Sequence, residues 1–220
     1  MRDLVILIPS FNEKKSLKKI LKILDKKIDV LIVDDCSTDN TKIDPNIKKN
    51  KIIINKKRLG YEKSLITGFN FIKKNLKKKY IITFDADGEH PVNSIKKMYE
   101  KIKLNNLDLL IAERDKKNRY SEILLSFIFN KKFGINDPLS GLKIYKSYTL
   151  YKILKNIKND QFLVDAIYEF IKKKALIKNI KIKINKIKSR TSRVGNLFYS
   201  NYKIFLIILK MSMYNKKNSL

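Results

Sequence analysis

The sequence predicts an α/β protein with a mostly parallel central sheet and helices on both faces, and three observations carry that prediction. Short runs of apolar residues alternate with helix-period patterns through the first half of the chain. Those runs are apolar at consecutive positions, the mark of strands buried on both faces rather than one. Acidic clusters follow the runs, at the carboxyl ends of strands, where open parallel sheets bind their ligands.

Taken in order, Leu4–Ile8 reads as the first strand, and Leu17, Ile20, Leu21 and Leu24 give a helix within Glu13 to Lys27. Val30–Val33 is the second strand, ending in Asp34-Asp35, and Ile52–Ile54 the third. Leu65, Phe69, Ile72 and Leu76 then share one helix face. Tyr80–Phe84 is a fourth strand ending in Asp85-Ala86-Asp87, followed after Pro91 by a helix carrying Ile95, Met98, Tyr99 and Ile102. Leu107–Ala112 is the fifth strand. Beyond a charged loop, Glu113 to Arg119, come an apolar helix at Ile123 to Phe129 and a second helix at about Asp160 to Lys173. Ile180, Ile182, Ile184 and Ile187 follow, mostly at strand period. No repeat or glycine-rich linker interrupts this, so one domain is expected over 1–195, in two halves (1–112 and 113–195), with a tail at 196–220.

With 220 residues, 44% of them hydrophobic, the chain can bury a core and is not a disordered one. The single cysteine, Cys36, excludes an internal disulfide framework, and the single histidine, His90, leaves little room for a multi-histidine metal site. The net charge of +29 comes mostly from lysines spread over every helix, as in Lys14-Lys15 and Lys73-Lys74, and not from one basic arm. A codon-biased, solvated surface accounts for most of it, though attraction to anionic lipid or phosphate follows whatever its origin. No aromatic–basic motif of an RNA-binding sheet is present, so no nucleic-acid partner is expected. Met1–Asp3 leads into an apolar run too short for a signal peptide, and Ile204 to Leu209 falls far short of a membrane span. A cytoplasmic protein, peripheral on the inner face of the membrane, is the expectation.

The string Phe84-Asp85-Ala86-Asp87-Gly88-Glu89-His90-Pro91 places three carboxylates at alternate positions after a buried strand. Such an oxygen-rich turn suits Mg²⁺ or Mn²⁺, which keep waters and complete their shell with substrate phosphates. The competing reading is a solvated acidic turn. Two more polar strand ends weigh against it: Pro9-Ser10-Phe11-Asn12-Glu13, where a ring could stack on a base, and Asp34 to Asp39, where a carboxylate could accept from base N–H groups. Glu13, Ser37 and Thr38 also suit helix and turn capping.

The order PSFNE, VDDCSTDNT, NKKRLGYEKSL, FDADGEHP and DPLSGLK resembles an inverting family 2 glycosyltransferase of GT-A fold, over about Leu4 to Gly195. Within that family the likeness is to the dolichol-phosphate mannose synthase branch, which moves a sugar from a nucleotide sugar to a polyprenyl phosphate. FDADGEHP and DPLSGLK are the specific parts. The resemblance implies that Pro9, Phe11 and Glu13 frame base and ribose and that Asp35 reads the base. It implies that Asp85 and Ala86 lie along ribose and diphosphate, and that Asp87, with Glu89 and Asp85, holds Mg²⁺ or Mn²⁺. Asp87 and Asp85 are then the catalytic carboxylates. Arg114, Ser140, Gly141, Lys143, Arg190 and Arg193 would meet the acceptor or its phosphates. Lys143 stands where the family has Arg, Ser64 where it has Ala, and Asn196-Leu197 where it has Ser and Lys.

The implied donor is of the GDP-mannose or UDP-glucose type, and the implied acceptor a polyprenyl phosphate at a membrane surface. That acceptor is already an anion and needs no strong base, in keeping with a histidine, His90, that suits hydrogen bonding before Pro91. Two alternatives stand beside it. A sugar-hydroxyl acceptor would need a carboxylate base, for which Asp137 or Asp165 could serve, and a phosphate- or RNA-binding protein would leave the acidic strand ends without a purpose. The tail, rich in Leu197, Phe198, Phe205 and Leu209 and broken by Lys203 and Lys210, suits either an interfacial helix or one packed on the domain. The sequence leaves the oligomeric state open.

Overall fold

The computed structural model describes residues 1–117, 119–157, 161–185 and 204–206. Seven strands form one sheet: β1 (Leu4–Ser10), β2 (Asp29–Asp34), β3 (Lys51–Ile54), β4 (Tyr80–Thr83), β5 (Leu109–Arg114), β6 (Lys143–Lys146) and β7 (Ile177–Ile182). Their spatial order is β3-β2-β1-β4-β6-β5-β7. Every neighbouring pair is parallel except the two that involve β6, which runs against both β4 and β5.

The helices are α1 (Lys14–Ile23), α2 (Pro45–Lys48), α3 (Tyr61–Asn75), α4 (Ser94–Leu104), α5 (Tyr120–Phe133), α6 (Ser147–Ile153) and α7 (Phe162–Lys172). All seven residues of β1 are buried, because both faces of the sheet are covered. Val5 and Leu7 point into a core built with α3, α5, α6 and α7, through Phe69, Phe129, Leu150 and Phe170. Leu4, Ile6 and Ile8 point the other way, onto Leu17 and Ile20 of α1 and Met98 and Ile102 of α4. The strand period of two thus sends one apolar run into two cores at once.

The five expected strands are present, each within about two residues of its expected bounds. The last expected strand lies earlier, at Ile177–Ile182, and β6 and α6 come as additions. Gly195, Arg190 and Arg193 lie outside the described residues, as does the tail apart from residues 204–206. There Ile204 is 5% exposed and packs on the core of α3, α5, α6 and α7. At that one position the chain lies on its own domain.

The reversal of β6 is what positions the site. A strand that runs backwards begins beside the end of its antiparallel neighbour, and Lys143, the first residue of β6, pairs with Thr83, the last of β4. The turn leading into β6, Asp137 to Leu142, therefore lands on the acidic turn that follows β4. Thr83 fastens the two by donating its hydroxyl to the Gly141 carbonyl at 2.6 Å.

Candidate active site

Three loops meet at the carboxyl edge of β1, β2 and β4. The first two are tied together at their tips. Asn12, in the left-handed region at φ 55°, donates its backbone N–H to Ser37 Oγ and accepts the Thr38 N–H on its side chain. Asp34, fully buried, accepts from the Ser37 hydroxyl and N–H. Glu13 is 7% exposed and takes the Ser16 hydroxyl at 2.6 Å; it stands at the N-cap of α1, but its side chain accepts no backbone N–H of the helix, so the expected capping bond is absent. Pro9 is buried within β1. Phe11 lies half-buried with the Arg58 guanidinium 4.2 Å from its ring centre, so an arginine from the NKKRLG segment joins this corner.

Asp35 is placed at the cleft edge of β2, but its carboxylate is committed to its own chain. Oδ1 accepts from the Leu59 N–H at 2.8 Å and Asn55 Nδ2 at 2.9 Å, and Oδ2 from the Gly60 N–H at 2.8 Å. It shapes the loop between β3 and α3. That is a structural task the motif alone did not reveal.

At the end of β4 the carboxylates divide. Asp85 accepts the Tyr61 hydroxyl at 2.7 Å and lies 3.4 Å from His90 Nε2. Its oxygens press against Gly141, where an added Cβ would stand 2.3 Å from Oδ2 and one of the two would have to shift. Burial raises the Asp85 carboxyl, yet the hydrogen bond and charge of His90, then Tyr61 and Arg114, outweigh it and hold it below its ordinary range. Burial disfavours the charged imidazole of His90, and Asp85, Asp87 and Glu89 overcome that to raise its pKa. His90 is 2% exposed, the hydrogen-bonding residue that the sequence suggested.

Asp87 accepts the Glu89 N–H on Oδ1 at 2.7 Å, with Gly88 at φ 82° allowing the tight turn between them. Glu89 carries a buried oxygen, Oε1, with no hydrogen-bond partner. Burial and then repulsion from Asp87 raise its pKa, against the pull of Arg114. Among the described residues no three His, Cys, Asp or Glu side chains converge on one point. Of the expected metal set of Asp85, Asp87 and Glu89, Asp85 is engaged by Tyr61 and His90. What remains is a pair of carboxylates two residues apart, one with an unsatisfied buried oxygen. That donor set fits a hard divalent cation that keeps waters and takes its other ligands from substrate phosphates.

The acceptor-side residues are also redistributed. Lys143 is fully buried and donates from Nζ to the carbonyls of Ser140 at 2.6 Å and Pro138 at 2.9 Å. It staples the turn from inside and does not reach a phosphate, which corrects the expectation for it. Burial drives its pKa down to about 7, against the attraction of Asp137 and Glu62. Arg114 grips Asp137 through Nε at 2.8 Å and Nη2 at 3.1 Å and reaches Glu122 at 3.3 Å, which commits much of its guanidinium inward. Asp137 is 1% exposed and held by that fork. Ser140 is buried, while Asp165 lies in the first turn of α7. Tyr61, Arg58 and Glu122 are the participants that sequence reasoning missed; the partners of Tyr61 and Arg58 lie far along the chain, while Glu122 has Arg119 three residues before it.

The chain is similar to known proteins in sequence and in fold. A family model described as Glycosyl transferase family 2 matches residues 5–124. Two uncharacterized proteins of Methanocaldococcus jannaschii are similar in sequence. MJ0544 is 34% identical over 175 residues, 70% of this chain and 75% of that protein. MJ1222 is 30% identical over 94% of this chain and 92% of that protein. Glucosyl-3-phosphoglycerate synthase from Mycobacterium tuberculosis, solved with Mn²⁺, UDP and glucosyl-3-phosphoglycerate, shares the fold. It has a TM-score of 0.71 at 12% identity over 95% of this chain and 79% of that one.

Proposed function

This chain belongs to glycosyltransferase family 2, and from that premise we propose that it moves a hexose, mannose or glucose, from a nucleotide sugar to a polyprenyl phosphate at the inner face of a membrane. One observation carries the choice of acceptor. The turn that abuts Asp85 offers no free carboxylate, since Asp137 is buried under the Arg114 fork. A hydroxyl acceptor needs a base there; a phosphate, already ionised, does not.

In this reading residues 1–112 hold the donor and 113–195 receive the acceptor. Phe11, backed by Arg58, and Glu13 frame the base and ribose, while Asp35 acts through the loop it braces. Asp87 and Glu89 would hold Mg²⁺ or Mn²⁺, which offsets the charge that the leaving diphosphate gains. Asp85, fixed by Tyr61 and His90, orients the sugar side of the donor against Gly141. Inversion follows if the acceptor oxygen displaces the diphosphate in one in-line step.

The M. tuberculosis enzyme of the same fold favours testing UDP-glucose and a small phosphorylated acid as well, since its solved complex holds UDP and glucosyl-3-phosphoglycerate. The assay offers GDP-mannose or UDP-glucose with a short polyprenyl phosphate, phosphoglyceric acid or a sugar hydroxyl acceptor, and identifies products by mass. A glycosylated polyprenyl phosphate is the expected product. Transfer only to the soluble acid or to a hydroxyl overturns the acceptor assignment.

A further inference from the structure

Helix α5 turns two different faces to its surroundings. Inward go Leu125, Ser126 and Phe129. Outward go Tyr120 at 92% exposure, Ile123 and Leu124 at 51% each, and Phe127 at 57%. Their spacing of three, four and seven residues is that of one continuous helical stripe. These are four of eleven large apolar side chains left exposed among the described residues, and the other seven each stand on a different segment. Single exposed apolar residues need no explanation, but four on one helix face do.

Cations dominate the rim of the stripe, while the exposed acid Asp115 lies before the helix and accepts the Ile184 N–H. Lys116, Lys131 and Lys132 are exposed at its two ends, and Lys131 Nζ lies 4.9 Å from the Phe127 ring centre, its stem laid along apolar surface. The one acid of the helix, Glu122, is drawn inward to Arg114 at 3.3 Å and Arg119 at 3.8 Å. An apolar stripe with a mainly cationic rim and no outward acid on the helix itself matches the interface of an anionic bilayer. It does not suit a second copy of this chain, which at a net charge of +29 would bring like charges together around the seam.

We propose that the outward face of α5 is a lipid-docking surface that seats the protein on an anionic membrane. The position serves the acceptor. Through Glu122 and Arg114 the inner side of the same helix buttresses Asp137, which opens the turn at Gly141 and Asp85. Seating α5 in the headgroup layer brings that turn to the depth where a polyprenyl phosphate presents its head group. The inference rests on the proposed acceptor for its purpose, while the docking itself is measured without it.

The test is sedimentation of the full chain with vesicles of phosphatidylcholine, with and without phosphatidylglycerol. Binding is expected to the anionic vesicles and to weaken in high salt. The double variant Leu124→Glu with Phe127→Glu should lower partition by about tenfold or more while circular dichroism melting and nucleotide-sugar calorimetry stay as in the parent. Leu124→Ser with Phe127→Ser is the milder pair, should the acidic one fail to fold. Undiminished vesicle binding by a folded variant overturns the proposal and assigns binding to another surface such as the tail. So does a parent that ignores vesicles but forms a dimer that the substitutions break. If vesicle binding through α5 holds and no transfer to polyprenyl phosphate occurs, the acceptor assignment falls and the surface stands.

Discussion

At the end of β2, three N–H donors from the loop before α3 surround the carboxylate of Asp35. Beyond β4, two places along the sheet, Glu89 keeps a buried oxygen with no donor at all, beside a second carboxylate that repels it. Both segments are acidic motifs at strand ends and look alike as strings of letters. The first is a finished joint, satisfied from within the chain. The second keeps an unsatisfied carboxylate oxygen beside a like charge, an arrangement that a cation would complete.

The largest effect that would sharpen this contrast is expected at the second turn. Asp87→Asn or Glu89→Gln should lower transfer by roughly 100-fold or more, the scale of removing one preorganised electrostatic partner. Melting temperature should hold or rise, because like-charge repulsion is relieved. Mn²⁺ titration by calorimetry reads the same change without turnover, and an unchanged affinity in both variants would break the contrast.

Gly141→Ala comes next. Its new Cβ would stand 2.3 Å from an Asp85 oxygen already fixed by Tyr61 and His90, so turn and carboxylate must part. A loss of roughly 1–3 kcal/mol in denaturant unfolding is expected, with a larger proportional fall in kcat than in nucleotide affinity. Full activity would show that the two turns are independent.

Asp35→Ala tests the finished joint. Stranding two backbone N–H groups and Asn55 should cost roughly 1–3 kcal/mol of stability. Nucleotide affinity should fall in step with order in the loop before α3, measured by hydrogen exchange at Leu59 and Gly60. Weakened binding with the loop still protected would instead make Asp35 a direct base reader.

The smallest expected effect concerns Lys143. Its folded pKa is lowered from 10.5 to about 7, so between those values the unfolded chain binds more protons than the folded one. Stability therefore rises with pH across that window, by at most about 1.4 kcal/mol per pH unit. The neutral amine still has two hydrogens for the Pro138 and Ser140 carbonyls. Thermal melts from pH 7 to 9 should rise for the parent relative to Lys143→Met. Parallel curves would count against a buried, titrating amine.

The parallel strands were legible because strands covered on both faces write themselves as unbroken apolar runs, as Leu4–Ile8 does. β6 was not, since Lys-Ile-Tyr-Lys is four residues long and opens on a lysine that the fold buries completely. The acidic turn was legible as a place for a cation, but the division of labour within it was not. Asp85 is claimed by a hydroxyl 24 residues earlier, and Asp137 by an arginine 23 residues earlier. Competition among distant partners for a carboxylate is settled only by the fold.

The reversed strand also sets when this protein can exist at all. β4 and β5 are successive strands in the chain, yet β6 lies between them in the sheet and is made only at Lys143–Lys146. A nascent chain on the ribosome that has reached residue 142 therefore carries two open strand edges flanking an empty slot, a template for pairing with other chains. Until that slot is filled, Gly141 has no place beside Asp85, and the two turns stay apart. Synthesis thus leaves an interval in which the growing chain depends on protection from its neighbours.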